Sequence, residues 1–526
     1  MLCVRTARGP ALVGLTVLLC LAGLLAACTV GPSVRPPVVV RGENVPAPPP
    51  AGATPAPRRP AVPPLQAQNG SIPFADCTAD AFAALGVAVP ADRELRVECG
   101  ELAVAGDPAR PDAGRAVLGV VRVGVAGGLD RPPLLALGDS VTGPTAAHAV
   151  ALATQVSPAV LDTFTLIGLD RRGAGSDRLD CAPADARAAL VDADPAAVAE
   201  PELAALLEQA RAVVQGCNLQ PRSPNSFRSD AGVIDVDALR LRLGVAQLSA
   251  IGVGDGAAAL ARWATVVPTN VGRLVLDGPP DLAATEPGHT TARATAADAA
   301  FDAFADACAG GCTLGPDPRT TVTALVDALR VQPLAAADGR RLTAGATVTA
   351  VLGALSEPRD WTALGAALAA ATAGDPVPLL DRLDPTVGPG AGFDAALATA
   401  CNDNPARFSP PEVGELATRL RAEHPLVGGT LALGLLACAP WPASGPAETS
   451  AAPVGLPPVL VIGTAADPRA PQDESRAVAD ALADSSFLDW QGSGSGAYPR
   501  TPCVAAAVDG LLVDAVAPTT GTLCPP

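Results

Sequence analysis

"VDALRLRLGVAQLSAIGVGDGAAALARWATVVPTNVGRLVLDGPPD", Val236 to Asp281, is the stretch whose reading decides the fold. A helix runs into the strand LSAIGV. A tight turn follows, Gly252-Val253-Gly254-Asp255-Gly256, and then a second helix. VGRLVLDGP is a further strand that ends on an Asp. Strands alternating with helices build a parallel sheet covered on both faces. The alternation continues upstream. AVLGVVRVGVA from Ala116 and PPLLALG from Pro132 are β-like, TAAHAVALATQV is helical, and FTLIGLDRRGAGSD is a buried strand entering a Gly-rich turn. From about residue 285 to 445 the chain turns Ala- and Leu-rich with helical periodicity, as in DWTALGAALAAATAGD. LPPVLVIGTAADPRAP, from Leu456, returns to strand-and-turn chemistry. A helical block therefore interrupts an α/β domain.

The remaining composition bounds the function. With 526 residues, 49% hydrophobic and 17% charged, the chain can bury a large core. All 36 basic residues are Arg. A net charge of -17 argues against nucleic acid, or an anionic membrane surface, as partner. At the N-terminus, Arg5 and Arg8 precede an apolar run from Ala11 to Ala27, too short and wrongly flanked for a transmembrane helix. The run ends in Leu25-Ala26-Ala27-Cys28, which resembles a bacterial lipobox. Residues 1–27 are then expected to be a lipoprotein signal peptide, and a lipid on Cys28 to anchor the protein to an extracytoplasmic membrane face. Residues 28–70 are Pro-rich and are expected to be an extended linker.

Beyond Cys28 the chain holds ten cysteines, Cys77, Cys99, Cys181, Cys217, Cys308, Cys312, Cys401, Cys438, Cys503 and Cys524. An even number fits disulfides in an oxidising compartment. The spacing suggests that sequence neighbours pair, although sequence alone leaves the connectivity open. No metal or other cofactor is expected, because zinc-type spacing is missing and the chain has only three histidines.

Two motifs compete for the chemistry. Gly138-Asp139-Ser140-Val141 is similar to the nucleophile block of GDSL esterases. Those enzymes need a late Asp-x-x-His, and none of His148, His289 and His424 has Asp three residues before it. Without a placed base, a serine hydroxyl is a weak nucleophile. The second set is more extensive. DRRGAGSD (Asp170–Asp177), the Val236–Asp281 stretch, GTAADPRAP (Gly463–Pro471), WQGSGSGAYPRTPC (Trp490–Cys503) and the CND…CAPWP frame (Cys401–Pro442) together resemble the secreted tripeptidyl aminopeptidases. That resemblance runs from about Cys77 to the C-terminus. It implies an α/β-hydrolase core over 71–284 and 446–526, with a helical cap over 285–445 inserted between.

The family's triad maps onto this chain with two losses. The nucleophile, at the tip of the strand-to-helix elbow, falls on Gly254. The acid falls on Asp467, and the histidine on Ser495. The residue whose N–H should serve the oxyanion is Asp255, a carboxylate. The Gly-rich oxyanion loop is replaced by GDSVTGP, which places Gly138 and Ser140 in a degenerate loop. Asp403 could meet a peptide amine or simply end a cap helix, and the four tryptophans are expected as core anchors. Three function classes stay open: a lipid-anchored binding protein built on a dead hydrolase, with a peptide, envelope or protein ligand; a serine peptidase or esterase with a rearranged nucleophile such as Ser140; and a structural envelope lipoprotein.

Overall fold

Residues 61–107, 110–142, 144–220, 226–281, 283–388, 391–442 and 455–526 are described by the structure, a computed structural model. The expected signal segment, Cys28 and the linker up to residue 60 lie outside the described residues. In chain order the strands are β1 (Ala75–Asp76), β2 (Leu95–Asp107), β3 (Arg110–Val125), β4 (Pro133–Leu137), β5 (Thr165–Leu169), β6 (Leu248–Val253), β7 (Val271–Asp277), β8 (Leu334–Ala335), β9 (Arg341–Leu342), β10 (Val459–Ala466), β11 (Ser485–Ser493) and β12 (Thr522–Cys524). Ten of them form one sheet in the order β1-β2-β3-β5-β4-β6-β7-β10-β11-β12, while β8 and β9 pair separately. β1, β2 and β3 pair antiparallel, and β3 is antiparallel to β5. From β5 to β12 every pairing is parallel.

The central strands β4 and β5, PLLAL and TLIGL, are buried at every position, as strands covered on both faces must be. Helices Ser229–Leu243, Asp255–Val266 and Gln472–Ala481 pack Val236, Leu239, Leu260 and Ala479 on one face. Helices Thr78–Leu85, Ala147–Ala153, Pro158–Thr163 and Pro502–Leu512 pack Phe82, Val150, Leu161 and Val508 on the other. This is the α/β-hydrolase architecture expected from the sequence. Between β7 and β10 the chain builds a helical layer with its own core, around Phe301, Phe304, Val351 and Leu368. Two earlier helices, Ala184–Val191 and Glu200–Asn218, also join that layer: Val213, Val214 and Cys217 pack on Ala398, Cys401 and Trp441. Arg187 ties them in, its Nε 3.0 Å from Oδ1 of the buried Asp394. All four tryptophans are buried.

The ten cysteines form five disulfides between sequence neighbours: Cys77–Cys99, Cys181–Cys217, Cys308–Cys312, Cys401–Cys438 and Cys503–Cys524. The Pro-rich stretch does not run free as far as residue 70. Asn69 and Ser71 donate backbone N–H bonds to Leu243 and Arg242 (3.1 and 3.0 Å), and Val62 and Leu65 pack on the core. An extended, proline-rich chain cannot make a core, but it can lie on one wherever its non-proline N–H groups find acceptors.

Candidate functional site

Three loops converge at the C-terminal ends of the parallel strands. β6 delivers Gly254, β10 delivers Asp467 and Arg469, and β11 delivers Ser495. Gly254 stands between β6 and the helix Asp255–Val266 with φ 58° and ψ -125°. This is the strained tip of a nucleophile elbow, a conformation that only glycine adopts without penalty. The tip is fixed by the Gly254 N–H, which donates to the Asp277 carbonyl at 3.0 Å.

Where a nucleophile's side chain would project, the space is taken. A Cβ built on Gly254 would lie 2.5 Å from Oδ2 of Asp139. Asp139 comes from the loop after β4. Its Oδ1 accepts the Val141 N–H at 3.0 Å, and its Oδ2 is 3.2 Å from Nη1 of Arg469. Gly138 allows this loop to sit low, since a Cβ there would be 2.8 Å from the Cβ of His148.

At the acid position, Asp467 is buried, and burial pushes its pKa up to about 6 against hydrogen bonds that pull it down. Oδ1 accepts the Ser495 hydroxyl at 2.6 Å and the backbone N–H groups of Arg469 and Ala470 (2.9 and 3.3 Å). The structure therefore sets Ser495 against Asp467, where a histidine at the same position would make the corresponding hydrogen bond. A serine hydroxyl there can hold the carboxylate but cannot shuttle a proton near neutral pH.

The oxyanion region is also closed on itself. Ser140 donates its backbone N–H (2.9 Å) and its hydroxyl to the Asp255 carboxylate, and Arg171 Nη1 pairs with the same carboxylate at 2.6 Å. An N–H of the oxyanion loop is thus committed to an internal anion. Burial raises the Asp255 pKa more than Arg171 lowers it.

None of the three histidines reaches the acid. His289 Nδ1 contacts Glu474 Oε1 at 2.7 Å, and His424 lies 3.3 Å from Asp298. His148 is sealed with Nε2 unpartnered, and burial drives its pKa down to about 4. Asp403 ends a cap helix, and both of its oxygens are engaged by Ser229, at 3.0 Å from the N–H and 2.6 Å from the hydroxyl.

Sequence reasoning missed Asp139 as the occupant of the elbow, Arg469 as its partner and Arg171 as the cation beside Asp255. Asp139 and Arg469 both stand inside quoted motifs, GDSVTGP and GTAADPRAP. Only the topology, which sets β4, β6 and β10 in one sheet, makes them a pair.

Comparison with known proteins agrees with this geometry. The model of the family described as TAP-like protein matches residues 424–524. The serine protease Hip1 of Mycobacterium tuberculosis (strain H37Rv) and that of Mycobacterium bovis are each 28% identical over 457 residues, covering 81% of this chain and 87% of theirs. A solved hydrolase from Pseudomonas aeruginosa is 15% identical, covers 76% of this chain and 94% of its own, and overlays with a TM-score of 0.32. The fold itself rests on the strand order and the elbow described above. Taken together, the sheet order, the elbow and the convergent loops give this chain an α/β-hydrolase fold, and its residues 424–524 are similar to the TAP-like family.

Proposed function

We propose that this protein is a binding protein on a hydrolase scaffold, without hydrolase chemistry of its own, exported and held at the cell envelope by a lipid on Cys28. One observation carries the loss of catalysis: the tip of the elbow is Gly254, and the Asp139 carboxylate, paired with Arg469, stands where a nucleophile would. Ser495 in place of a base supports the same reading, since neither half of a nucleophile–base pair is present. The relatives named Hip1 are serine proteases, so the scaffold's inherited ligand class is peptide. Five disulfides support an oxidising, extracytoplasmic compartment.

The rival reading makes Ser140 a rearranged nucleophile with Asp255 as its base, on the strength of the hydrogen bond between them. Against it, Ser140 is buried, and the Asp255 carboxylate is already paired with Arg171. A structural lipoprotein without ligand is the third reading.

Turnover by the full chain tests the proposal. With tripeptidyl amides and short esters as substrates, the expected result is release no faster than in buffer. Turnover abolished by Ser140→Ala would replace the proposal with the rival reading.

A further inference from the structure

Asn69-Gly70 closes the Pro-rich stretch, and nowhere else in the chain does asparagine precede glycine: the other six asparagines precede Val, Leu, Ser, Val, Asp and Pro. The segment is clasped to the C-terminal end of the helix Ser229–Leu243. The Asn69 N–H donates to the Leu243 carbonyl at 3.1 Å, and the Ser71 N–H to the Arg242 carbonyl at 3.0 Å. Two glycines permit this approach. A Cβ on Gly70 would lie 2.0 Å from the Arg242 carbonyl oxygen, and one on Gly244 would lie 1.9 Å from Oδ1 of Asn69.

The conditions for an asparagine to react with its own main chain meet here. An attacking amide must first lose its proton, and the Gly70 N–H has no hydrogen-bond partner among the described residues. No side chain on residue 70 crowds that nitrogen. The Asn69 carboxamide also makes no hydrogen bond among the described residues, so no bond holds its Cγ away from the nitrogen. Both residues are exposed, and with Gln68, Phe74 and Arg242 they line a groove of about 370 Å³ that admits water.

We propose that Asn69 is a site of spontaneous deamidation in the folded protein, and that its conversion undoes the clasp on the helix end. The Gly70 nitrogen bonds to Asn69 Cγ, and Nδ2 leaves as ammonia with the proton that the Gly70 amide gives up. Water then opens the cyclic imide. Attack at Cγ gives aspartate, while attack at the backbone carbonyl carbon gives isoaspartate. The net change is water in and ammonia out, with nothing oxidised or reduced. Either product sets a carboxylate beside the last carbonyls of a helix, its partially negative end. Isoaspartate also inserts a methylene into the main chain between the two clasping N–H groups, so both cannot keep their acceptors. The clasp is local. The neighbouring contact, from the Ala246 N–H to Oε1 of Gln66 at 2.8 Å, does not pass through residue 69.

The test is to age the full, disulfide-formed chain at neutral pH and physiological temperature over days, folded and in urea. Peptide-level mass spectrometry then reads conversion at each asparagine, and hydrogen exchange reads the backbone. Conversion in the folded chain should concentrate at Asn69, with isoaspartate among the products. Amide exchange over residues 69–71 should become about tenfold faster in the converted protein, while exchange at Ala246 stays as it was. Asn69→Gln, which would have to close a larger ring, should stay unconverted and keep slow exchange through the same ageing. Asn69 left intact in the folded chain, whether or not it converts in urea, would overturn the site. Conversion without faster exchange at 69–71, an equal rise at Ala246, or the same rise in aged Asn69→Gln would overturn the unclasping.

Discussion

At residue scale, Gly254 decides what this site can do. Its φ of 58° strains any side chain, and the nearby Oδ2 of Asp139 blocks one sterically. Restoring the nucleophile by Gly254→Ser alone should therefore cost stability, about 1–3 kcal/mol by the usual cost of such backbone strain, and give no activity. Adding Asp139→Gly should recover part of that loss; unfolding midpoints for the single and double variants check this.

Asp467 supplies a second prediction. Burial raises it from 3.8 to about 6, and Asp277, which accepts the Ala497 and Tyr498 N–H groups, is raised to about 6 in the same way. The folded state thus keeps protons that the unfolded chain has already released. The stability they supply is complete below the unfolded pKa and is lost as pH rises to about 6. The ceiling is about 3 kcal/mol per group. Asp467→Asn keeps an oxygen to accept from Ser495, Arg469 and Ala470, so it should roughly halve the fall in stability between about pH 4 and 6. Urea midpoints measured across that range check the slope.

At element scale, much was legible in the sequence. The strand–turn–helix of Leu248–Val266 could be read because β6 is continuously apolar and glycine marks its end. The loops carrying Asp467 and Ser495 were legible because they directly follow their strands. What could not be read was the contact between loops. Asp139 and Arg469 are separated by 330 residues, and no local pattern marks them as partners.

The role of Arg172 was hidden for the same reason. In the DRRGAGSD turn, Arg172 is a buried strut. It binds Asp235 bidentately (2.7 and 2.8 Å) and donates to the Gly106 and Ala105 carbonyls, joining β2, the turn after β5 and the helix Ser229–Leu243. Arg172→Leu leaves Asp235 buried and unpaired, which should cost about 3–5 kcal/mol. Changing Asp235 to Leu as well should return most of it, and a double-mutant cycle of denaturant unfolding tests the coupling.

At the scale of the whole molecule, the helical layer and the sheet are held together around the closed site. Arg500, from the loop after Ser495, reaches Glu357 of the layer at 2.9 Å, and the Ser495 N–H donates to the Ser356 carbonyl at 2.8 Å. The layer therefore rests directly on the loop where a catalytic histidine would have to move. The chain from residue 61 to 71 lies along the core. No helix among the described residues is long and apolar enough to cross a membrane. Under the proposed lipid anchor, Cys28→Ser should move the protein from the membrane fraction to the soluble fraction of the producing bacterium. Unchanged fractionation would remove the anchor from the account.

The central claim is that no working nucleophile exists anywhere in this chain. Treatment of the full, disulfide-formed protein with a fluorophosphonate, followed by intact-mass and peptide-level mass spectrometry, tests it most directly. The account predicts unmodified protein under conditions that label a serine hydrolase completely. A stoichiometric adduct, on Ser140 or on any other serine, would contradict it.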